Sequence, residues 1–262
     1  MLSIPKFVLP DRSVVEKSAG PTSYSYALYN YYGKGPIAAA KRRRFQRALS
    51  LGAEAAPNAQ RVMDMGCADG LLLPSLARQY RSVVAVDVDE TSADRSEALR
   101  QALNLDNVQV LCNSGVSTAD LRTRVGSDFQ LMFLLETLEH VGAQPDMWGT
   151  KIQFLHDCFS LMTSDGRIVI SVPKMVGWVM LYKNVLQRSL GMGHDALTWR
   201  QLLRSSILRD TDDLEPLWAG HHVGFNHLKL DKHLAQAFAV LRREESAISV
   251  FYVLGRKNAA SS

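Results

Sequence analysis

The sequence is poor in cysteine, with three in 262 residues. Cys67, Cys112 and Cys158 are scattered along the chain, none forms a Cys-x-x-Cys pair, and each falls in a segment that we predict to belong to the core. An odd and scattered count excludes a disulfide framework and favours reduced thiols. We therefore expect a cytoplasmic protein.

Long apolar runs are also lacking. No run approaches the length that spans a bilayer, and the first six residues lack the apolar core of a signal peptide. The chain has no internal repeat or low-complexity tract. Hydrophobic residues make up 47% and charged residues 21%, as in ordinary globular proteins. We predict one domain over residues 1–262, with a sizeable buried core.

The most specific pattern lies in residues 62–70 and 83–87. Residues 62–65 read as a buried strand, Val-Met-Asp-Met. Residues 66–70 follow it as a tight turn into a helix, Gly-Cys-Ala-Asp-Gly. Val-Val-Ala-Val-Asp reads as a second buried strand that ends on Asp87. Gly66 and Gly70 let the backbone approach a ligand closely. Asp87 stands where an acid accepts hydrogen bonds from ribose hydroxyls, so the pair predicts a nucleoside site.

The spacing Gly-x-Ala-x-Gly is not that of dinucleotide enzymes, and the sequence has no triphosphate-binding loop. Asp64, two residues before Gly66, would repel a phosphate but suits a cationic ligand. This combination resembles motif I of the class I S-adenosylmethionine (SAM) dependent methyltransferases. Ala68 departs from the family pattern, which has glycine at that position.

Three later stretches strengthen the resemblance. Glu136-Thr-Leu-Glu-His-Val141 is similar to a Glu-x-Leu-Glu-His-Val motif of bacterial methyltransferases, and residues 168–173 end in a typical Ser-Val-Pro. Residues 239–256 resemble the family's closing hairpin. The resemblance implies SAM as cofactor and a binding site that comprises Asp64, Gly66, Cys67, Ala68, Gly70, Asp87, Val88, Asn113, Ser114 and Leu135.

The implied fold is α/β, with a doubly wound, mostly parallel seven-stranded sheet and a closing antiparallel hairpin. We expect an N-terminal arm and helical cap over residues 1–58 and a helical, substrate-side insertion over residues 175–227 before the last helix. In the N-terminal part we predict an extended arm over 1–20, a basic amphipathic helix over 37–52 and a loop over 53–60. Further along we predict a helix opened by a capping box at Thr91 and a helix over 146–162. A turn at 164–167 and a last helix over 231–238 complete the prediction.

The tyrosines of residues 24–32 are open to two interpretations, a contact with substrate or SAM and a packing seam against the core. The basic run of residues 41–47 is more typical of a solvated helix face than of a nucleic-acid site. The apolar insertion has several interpretations. It could be a lid for a bulky acceptor, a peripheral membrane contact, a helical pair packed on the core, or a contact in a homodimer.

A histidine base would help to deprotonate a hydroxyl acceptor near neutral pH. His140 and His222 are our candidates for catalysis, with His221, His227 and His194 behind them. Glu136, Glu139 and His140 also match the metal-ligand pattern of the methyltransferases that modify small-RNA ends, but the same string occurs in family members not known to use metal. We expect no metal.

The leading hypothesis is thus a SAM-dependent methyltransferase for a small or medium-sized acceptor, through oxygen, such as a biosynthetic intermediate or glycan. One alternative is an RNA methyltransferase that uses the basic run of residues 41–47 on phosphates. Another is a non-catalytic partner subunit with the same fold. We expect no nucleic-acid partner and no transmembrane segment.

Overall fold

The computed structural model describes residues 5–20, 25–115, 117–177, 181, 197–218 and 224–257. The described elements are α1 (Arg12–Ala19), α2 (Tyr26–Tyr31), α3 (Pro36–Ala55), β1 (Arg61–Met65), α4 (Leu73–Gln79), β2 (Ser82–Asp87), α5 (Glu90–Ala102), β3 (Val108–Cys112), α6 (Thr118–Val125), β4 (Phe129–Leu135), a 3-10 turn (Leu138–His140), α7 (Met147–Ser160), β5 (Met162–Pro173), α8 (Trp199–Leu203), a π-helical turn (Arg204–Leu208), a second 3-10 turn (Glu215–Leu217), α9 (His227–Ala237), β6 (Ala239–Glu245) and β7 (Ser249–Gly255).

The strands form one seven-stranded sheet in the order β3-β2-β1-β4-β5-β7-β6. The first five strands in this order pair in parallel, and β7 pairs antiparallel with both β5 and β6. This confirms the predicted α/β sheet with its closing hairpin. Because the strand order reverses between β1 and β4, a crevice opens at the carboxyl ends of these strands, which is where ligands bind in such sheets.

Two apolar layers cover the two faces of the sheet. Alternate residues of β4 show the division, since Met132 and Leu134 face a layer that includes α6, α7 and α9, whereas Leu131 and Phe133 face a layer that includes α1 to α5. β1, β2 and β4 are therefore buried on both faces, which explains why they read as continuous apolar runs in the sequence.

The N-terminal part differs from the prediction in two ways. The expected extended arm contains α1, which buries Val15 and Ala19 and contacts α5. The basic helix α3 is longer than predicted. It begins with Pro36 at its first position, where proline needs no donor, and extends three residues into the expected loop, to Ala55. We attribute both differences to tertiary packing, since α1 buries Val15 and Ala19 and the last turns of α3 bury Ala53.

Three further boundaries correct the prediction. Asp89, not Thr91, caps α5, because its side chain accepts from the Ser92 N–H at 2.8 Å. The expected turn at 164–167 is a β-bulge inside β5, where the four residues 163–166 of β5 lie opposite the single residue Gln130 of β4. The last helix begins at His227, with the Asn226 side chain as its cap, four residues earlier than expected.

The described part of the 175–227 insertion comprises residues 175–177, 181, 197–218 and 224–227. α8 begins with a capping box of Thr198 and Gln201, and the π-helical turn follows it directly. The apolar residues Trp178, Tyr182, Val185 and Leu186, and His194, His221 and His222, lie outside the described residues. Within the described ranges, no helix is both long enough and apolar enough to cross a membrane.

Candidate active site

A cavity of about 670 Å³ lies at the carboxyl ends of β1, β2 and β4, beneath α2 and α3. Its volume is within the range of small-molecule sites. Its walls include seven residues that the sequence predicted, namely Gly66, Ala68, Asp87, Val88, Asn113, Leu135 and His140, and others that it did not assign to the cofactor or to catalysis, namely Tyr26, Asn30, Lys41, Met65, Ser92, Glu136, Thr137 and Glu139.

The turn after β1 forms the floor of this cavity. The N–H groups of Gly66 and Cys67 both donate to the Val86 carbonyl, at 2.7 and 3.1 Å, so the turn is bound to the end of β2. Gly66 has φ +85°, and a Cβ there would lie 2.3 Å from Oγ1 of Thr137. Ala68 also takes a left-handed conformation, with φ 47°. Such backbone is strained for any residue but glycine and concentrates at functional sites.

Asp87 stands at the rim, at the end of β2. Its Oδ2 accepts from the Ala68 N–H at 2.8 Å, and its Oδ1 accepts from the Asp89 N–H at 3.0 Å. Burial raises the pKa of Asp87, although these backbone donors oppose the change. The carboxylate therefore ties the tip of the glycine turn to β2 and lines the cavity.

Four predicted site residues do not line the cavity. Asp64 is buried in β1, where burial and then the charge of Asp87 raise its pKa to about 7. Cys67 lies behind the turn, with its Sγ 3.6 Å from Oγ of Ser96, and a Cβ on Gly70 would lie 2.8 Å from the same oxygen. Ser114 is exposed beyond β3. Asp64, Cys67 and Gly70 therefore support the glycine turn from the side away from the cavity.

The cap over the cavity was the least predictable part of the site. Asp69, within the glycine turn, accepts from the Ser25 hydroxyl at 2.7 Å and from the Ala27 N–H at 2.9 Å. It thereby holds the first turn of α2 against β1. This places Tyr26 and Asn30 in the cavity wall, where Lys41 of α3 donates to the Asn30 side chain.

The basic run contains a buried cation, so its interpretation as a solvated face is wrong for Arg44. Arg44 is 3% exposed, and its guanidinium donates to Glu136 Oε2 at 2.8 Å and to the Tyr31 hydroxyl. Arg47 pairs with Glu244 at 2.7 Å. Arg42 donates to the Tyr31 carbonyl. These internal partners leave fewer cations of the run for a phosphate backbone, which speaks against the RNA alternative.

The Glu136–His140 segment forms one wall of the cavity. Glu139 is fully buried, and burial raises the pKa of its carboxyl well above the usual value. His140 is half-exposed, with Nε2 3.9 Å from Glu139 Oε1. Since Glu136 pairs with Arg44, the three side chains do not converge as ligands. The described ranges hold no group of three or more His, Cys, Asp or Glu side chains arranged for a metal ion.

Of the remaining candidate histidines, only His227 is described. It is buried at the start of α9, burial lowers its pKa, and it does not line the cavity. His222, the second predicted catalytic residue, lies outside the described residues, so its role stays a prediction.

A family model described as a methyltransferase domain matches residues 37–226, which include the glycine turn and the Glu136–His140 segment. The chain belongs to this methyltransferase family. The match covers most of the parallel sheet. It confirms the predicted class I SAM-dependent methyltransferase and its cofactor.

Relatives among characterised proteins are distant. The chain is 25% identical over 175 residues to a ubiquinone biosynthesis O-methyltransferase of Erwinia tasmaniensis, covering 64% of this chain and 65% of the relative. It is 28% identical over 156 residues to the enzyme of the same name from Alkalilimnicola ehrlichii, covering 57% of each. The chain thus spans somewhat less than two thirds of the length of these two relatives.

Solved structures share the fold. Magnesium protoporphyrin IX methyltransferase from Synechocystis, solved with S-adenosylhomocysteine (SAH), has a TM-score of 0.55 at 14% identity and covers 94% of each chain. The N-methyltransferase NodS from Bradyrhizobium japonicum has a TM-score of 0.53 at 13% identity, covering 93% of this chain and 98% of its own. At these identities the likeness concerns the fold alone.

Proposed function

We propose that this methyltransferase transfers the methyl group of SAM to an oxygen atom of a small or medium-sized acceptor that carries an ionisable hydroxyl. The observation that carries the proposal is the shared cavity, which the glycine turn and Asp87 line together with the polar segment that carries His140. The two relatives described above are named as O-methyltransferases, which supports oxygen as the acceptor atom.

The residues at the rim fit SAM. Gly66 lines the cavity with backbone alone, as expected where backbone lies against a ligand. In this proposal Asp87 accepts hydrogen bonds from the ribose hydroxyls, and Val88 and Asn113 flank the adenine. Leu135 borders the methionine portion. Asp64, Cys67 and Gly70 support the turn from behind, and Ser114 has no contact role.

SAM supplies a methyl group that its sulfonium already activates. The chain must align the acceptor oxygen with the S–CH3 bond and exclude water, and α2 and α3 lie over the cavity for this. A phenol has a pKa near 10, so its proton must leave at neutral pH. His140 accepts this proton in our proposal, from a position in the same wall as Glu136 and Glu139.

Replacement of Asp87 by alanine is expected to weaken SAH binding about 10- to 100-fold, because hydrogen bonds to a charged acceptor contribute roughly 1.5–3 kcal/mol. Isothermal calorimetry with SAH measures this without turnover. Asp94→Ala is the matched control, since it removes the same charge from the exposed face of α5. Equal affinities of the two variants would remove Asp87 from the cofactor site.

Replacement of His140 by glutamine is expected to lower kcat about 100-fold, the lower end of what a general base contributes, with SAH affinity unchanged. His156→Gln is the control, because His156 is exposed on α7 and packs on Phe238 outside the cavity. A His140→Gln enzyme with kcat within twofold of the parent would exclude proton removal by this residue.

The acceptor atom is tested directly by incubation with SAM and matched phenols, vicinal dihydroxybenzenes and anilines, with products identified by mass spectrometry. O-methylation supports the proposal, and N-methylation alone contradicts it. SAH binding without turnover of any acceptor would favour the non-catalytic partner subunit.

Full turnover in EDTA is expected, and its loss with recovery in Mg²⁺ would overturn the expectation of no metal.

A further inference from the structure

A fully buried lysine lies directly behind the turn that carries His140. Lys151 of α7 has 0% of its surface exposed, and its ammonium donates to the carbonyls of Leu138 at 3.0 Å and Glu139 at 3.1 Å, and to the carbonyl of Val141. Carbonyls at the end of a short helical turn have few backbone donors, and here the backbone N–H of Val141 reaches the Leu138 carbonyl at 3.2 Å. One side chain thus supplies donors to three carbonyls within four residues.

The insertion encloses this lysine from the other side. The Lys151 Nζ lies 4.7 Å from the centre of the Trp218 ring and 5.6 Å from that of Phe225, distances at which an ammonium is attracted to an aromatic face. Trp218 Nε1 also donates to the Glu139 carbonyl at 3.2 Å. Lys151 therefore joins the turn to residues from the described part of the insertion.

Burial of an ammonium costs desolvation free energy unless the charge is hydrogen-bonded. Burial lowers the pKa of Lys151 to about 7, with the Glu139 carboxyl opposing the change. A methionine or leucine in this apolar core would avoid the desolvation. In exchange, three N–H donors match the three carbonyls and hold the backbone of residues 138–141 in one conformation.

We propose that Lys151 is a positioning residue, whose ammonium holds the 138–141 turn so that His140 faces the acceptor in the cavity. Lys151 itself does not line the cavity, so it acts through the turn. The catalytic part of this inference rests on the proposed function. The part that concerns the turn does not, and it can be measured without an acceptor.

Lys151→Met, which keeps a stem of similar length and removes the donors, is expected to lower kcat at least tenfold while the KM for SAM and the SAH affinity stay within twofold. Hydrogen exchange of the full chain with SAH is the second readout. The His140 N–H donates to the Thr137 carbonyl at 3.0 Å and the Val141 N–H to that of Leu138 at 3.2 Å. Both amides are expected to exchange at least tenfold faster, with the β4 amides unchanged.

Leu155→Ala is the matched control, since Leu155 is also fully buried in α7 and its hydrocarbon side chain has no donor for the turn carbonyls. It is expected to lower the melting temperature with kcat unchanged at temperatures well below melting. Loss of kcat in both variants in proportion to their loss of stability would overturn the proposal. Faster exchange in Lys151→Met with an unchanged kcat would also overturn it, because the hydrogen bonds from Lys151 to the turn would then be structural only.

Trp218→Phe decides the case if Lys151→Met does not fold. It keeps an aromatic side chain at this position and removes the indole N–H that donates to the Glu139 carbonyl, so a several-fold loss of kcat with unchanged SAH affinity is expected. An unchanged kcat and unchanged exchange at His140 would contradict the proposal. If the parent enzyme turns over none of the acceptors, the proposed function fails. Hydrogen exchange of the His140 and Val141 amides then supports or overturns, by itself, the part of the proposal in which Lys151 holds the turn.

Discussion

Replacement of Arg44 by methionine is expected to lower the free energy of unfolding by about 3 kcal/mol, since breaking a buried ion pair leaves an uncompensated charge. The remaining Glu136 carboxylate, only 15% exposed at its side chain, would keep the Ser249 hydroxyl at 3.1 Å as a partner but lose its cation. Glu136 is also held at φ 58°, a left-handed conformation that the surrounding contacts must maintain. Urea unfolding at neutral pH measures the loss.

The adjacent Arg43→Met is the matched control, because Arg43 is exposed on the same helix and its replacement is expected to change stability by less than about 0.5 kcal/mol. The double variant Arg44→Met/Glu136→Gln is expected to recover most of the loss, since neither charge then remains. Equal stabilities of the Arg44 and Arg43 variants would show that the pair does not hold α3 to the end of β4.

Activity is expected to fall with the same substitution. Arg44 belongs to the cap and Glu136 to the cavity wall, so their pair is the direct link between α3 and the segment that carries His140. We expect the Arg44→Met enzyme to lose kcat as well as stability, whereas the Arg43→Met enzyme keeps both. A loss of stability with full activity would limit the pair to a structural role.

Replacement of Gly66 by alanine has the second large expected effect. The new Cβ would lie 2.3 and 2.6 Å from Oγ1 and Cγ2 of Thr137, and φ at this position is +85°. Strain and overlap together are expected to cost about 3 kcal/mol of folding free energy. Any protein that folds is expected to bind SAH at least 100-fold more weakly, because the turn must move away from β2 and the cavity floor with it.

Gly126→Ala separates the clash from the backbone strain. Gly126 has nearly the same φ, +80°, but a Cβ there would meet its nearest atoms at 3.5 and 3.7 Å, ordinary contact distances. Gly126→Ala is therefore expected to cost about 1 kcal/mol with SAH affinity unchanged. Adding Thr137→Ala to Gly66→Ala is expected to restore part of the stability. Thermal unfolding and calorimetry with SAH check both, and equal losses at the two glycines would contradict the steric argument.

The parts of the site that the sequence predicted are those built from neighbouring residues. Gly66, Ala68 and Asp87 line the cavity because a glycine turn after a buried strand and an acid at the end of the next strand must meet at one edge of a parallel sheet. The same local logic failed at residues 164–167. Ser-Asp-Gly-Arg is typical of a turn, but β5 pairs with β4 at Met162 and again from Arg167, so the strand continues past it as a bulge.

The buried charges that support the cavity wall of residues 136–141 could not be predicted in the same way. Arg44 reads as one member of a basic run, and Lys151 as an ordinary polar residue in a helix, yet both side chains are buried. Their partners, Glu136 and the carbonyls of the 138–141 turn, lie 92 and 10 to 13 residues away. Only the excess of charge in the α3 run was visible in advance, and its usual meaning is a solvated face.

The amino-acid sequence alone indicated the fold class and the acid at the end of β2, because strand periodicity, glycine spacing and a carboxylate offset act over short stretches of chain. It indicated the cofactor through the resemblance of its motifs to those of the SAM-dependent methyltransferases. Tertiary structure alone decided which charges are buried, how Asp69 holds the cap over the cavity, and how the turn with His140 is held from behind. Burial depends on what the rest of the fold places around a side chain, and a local pattern does not contain that information.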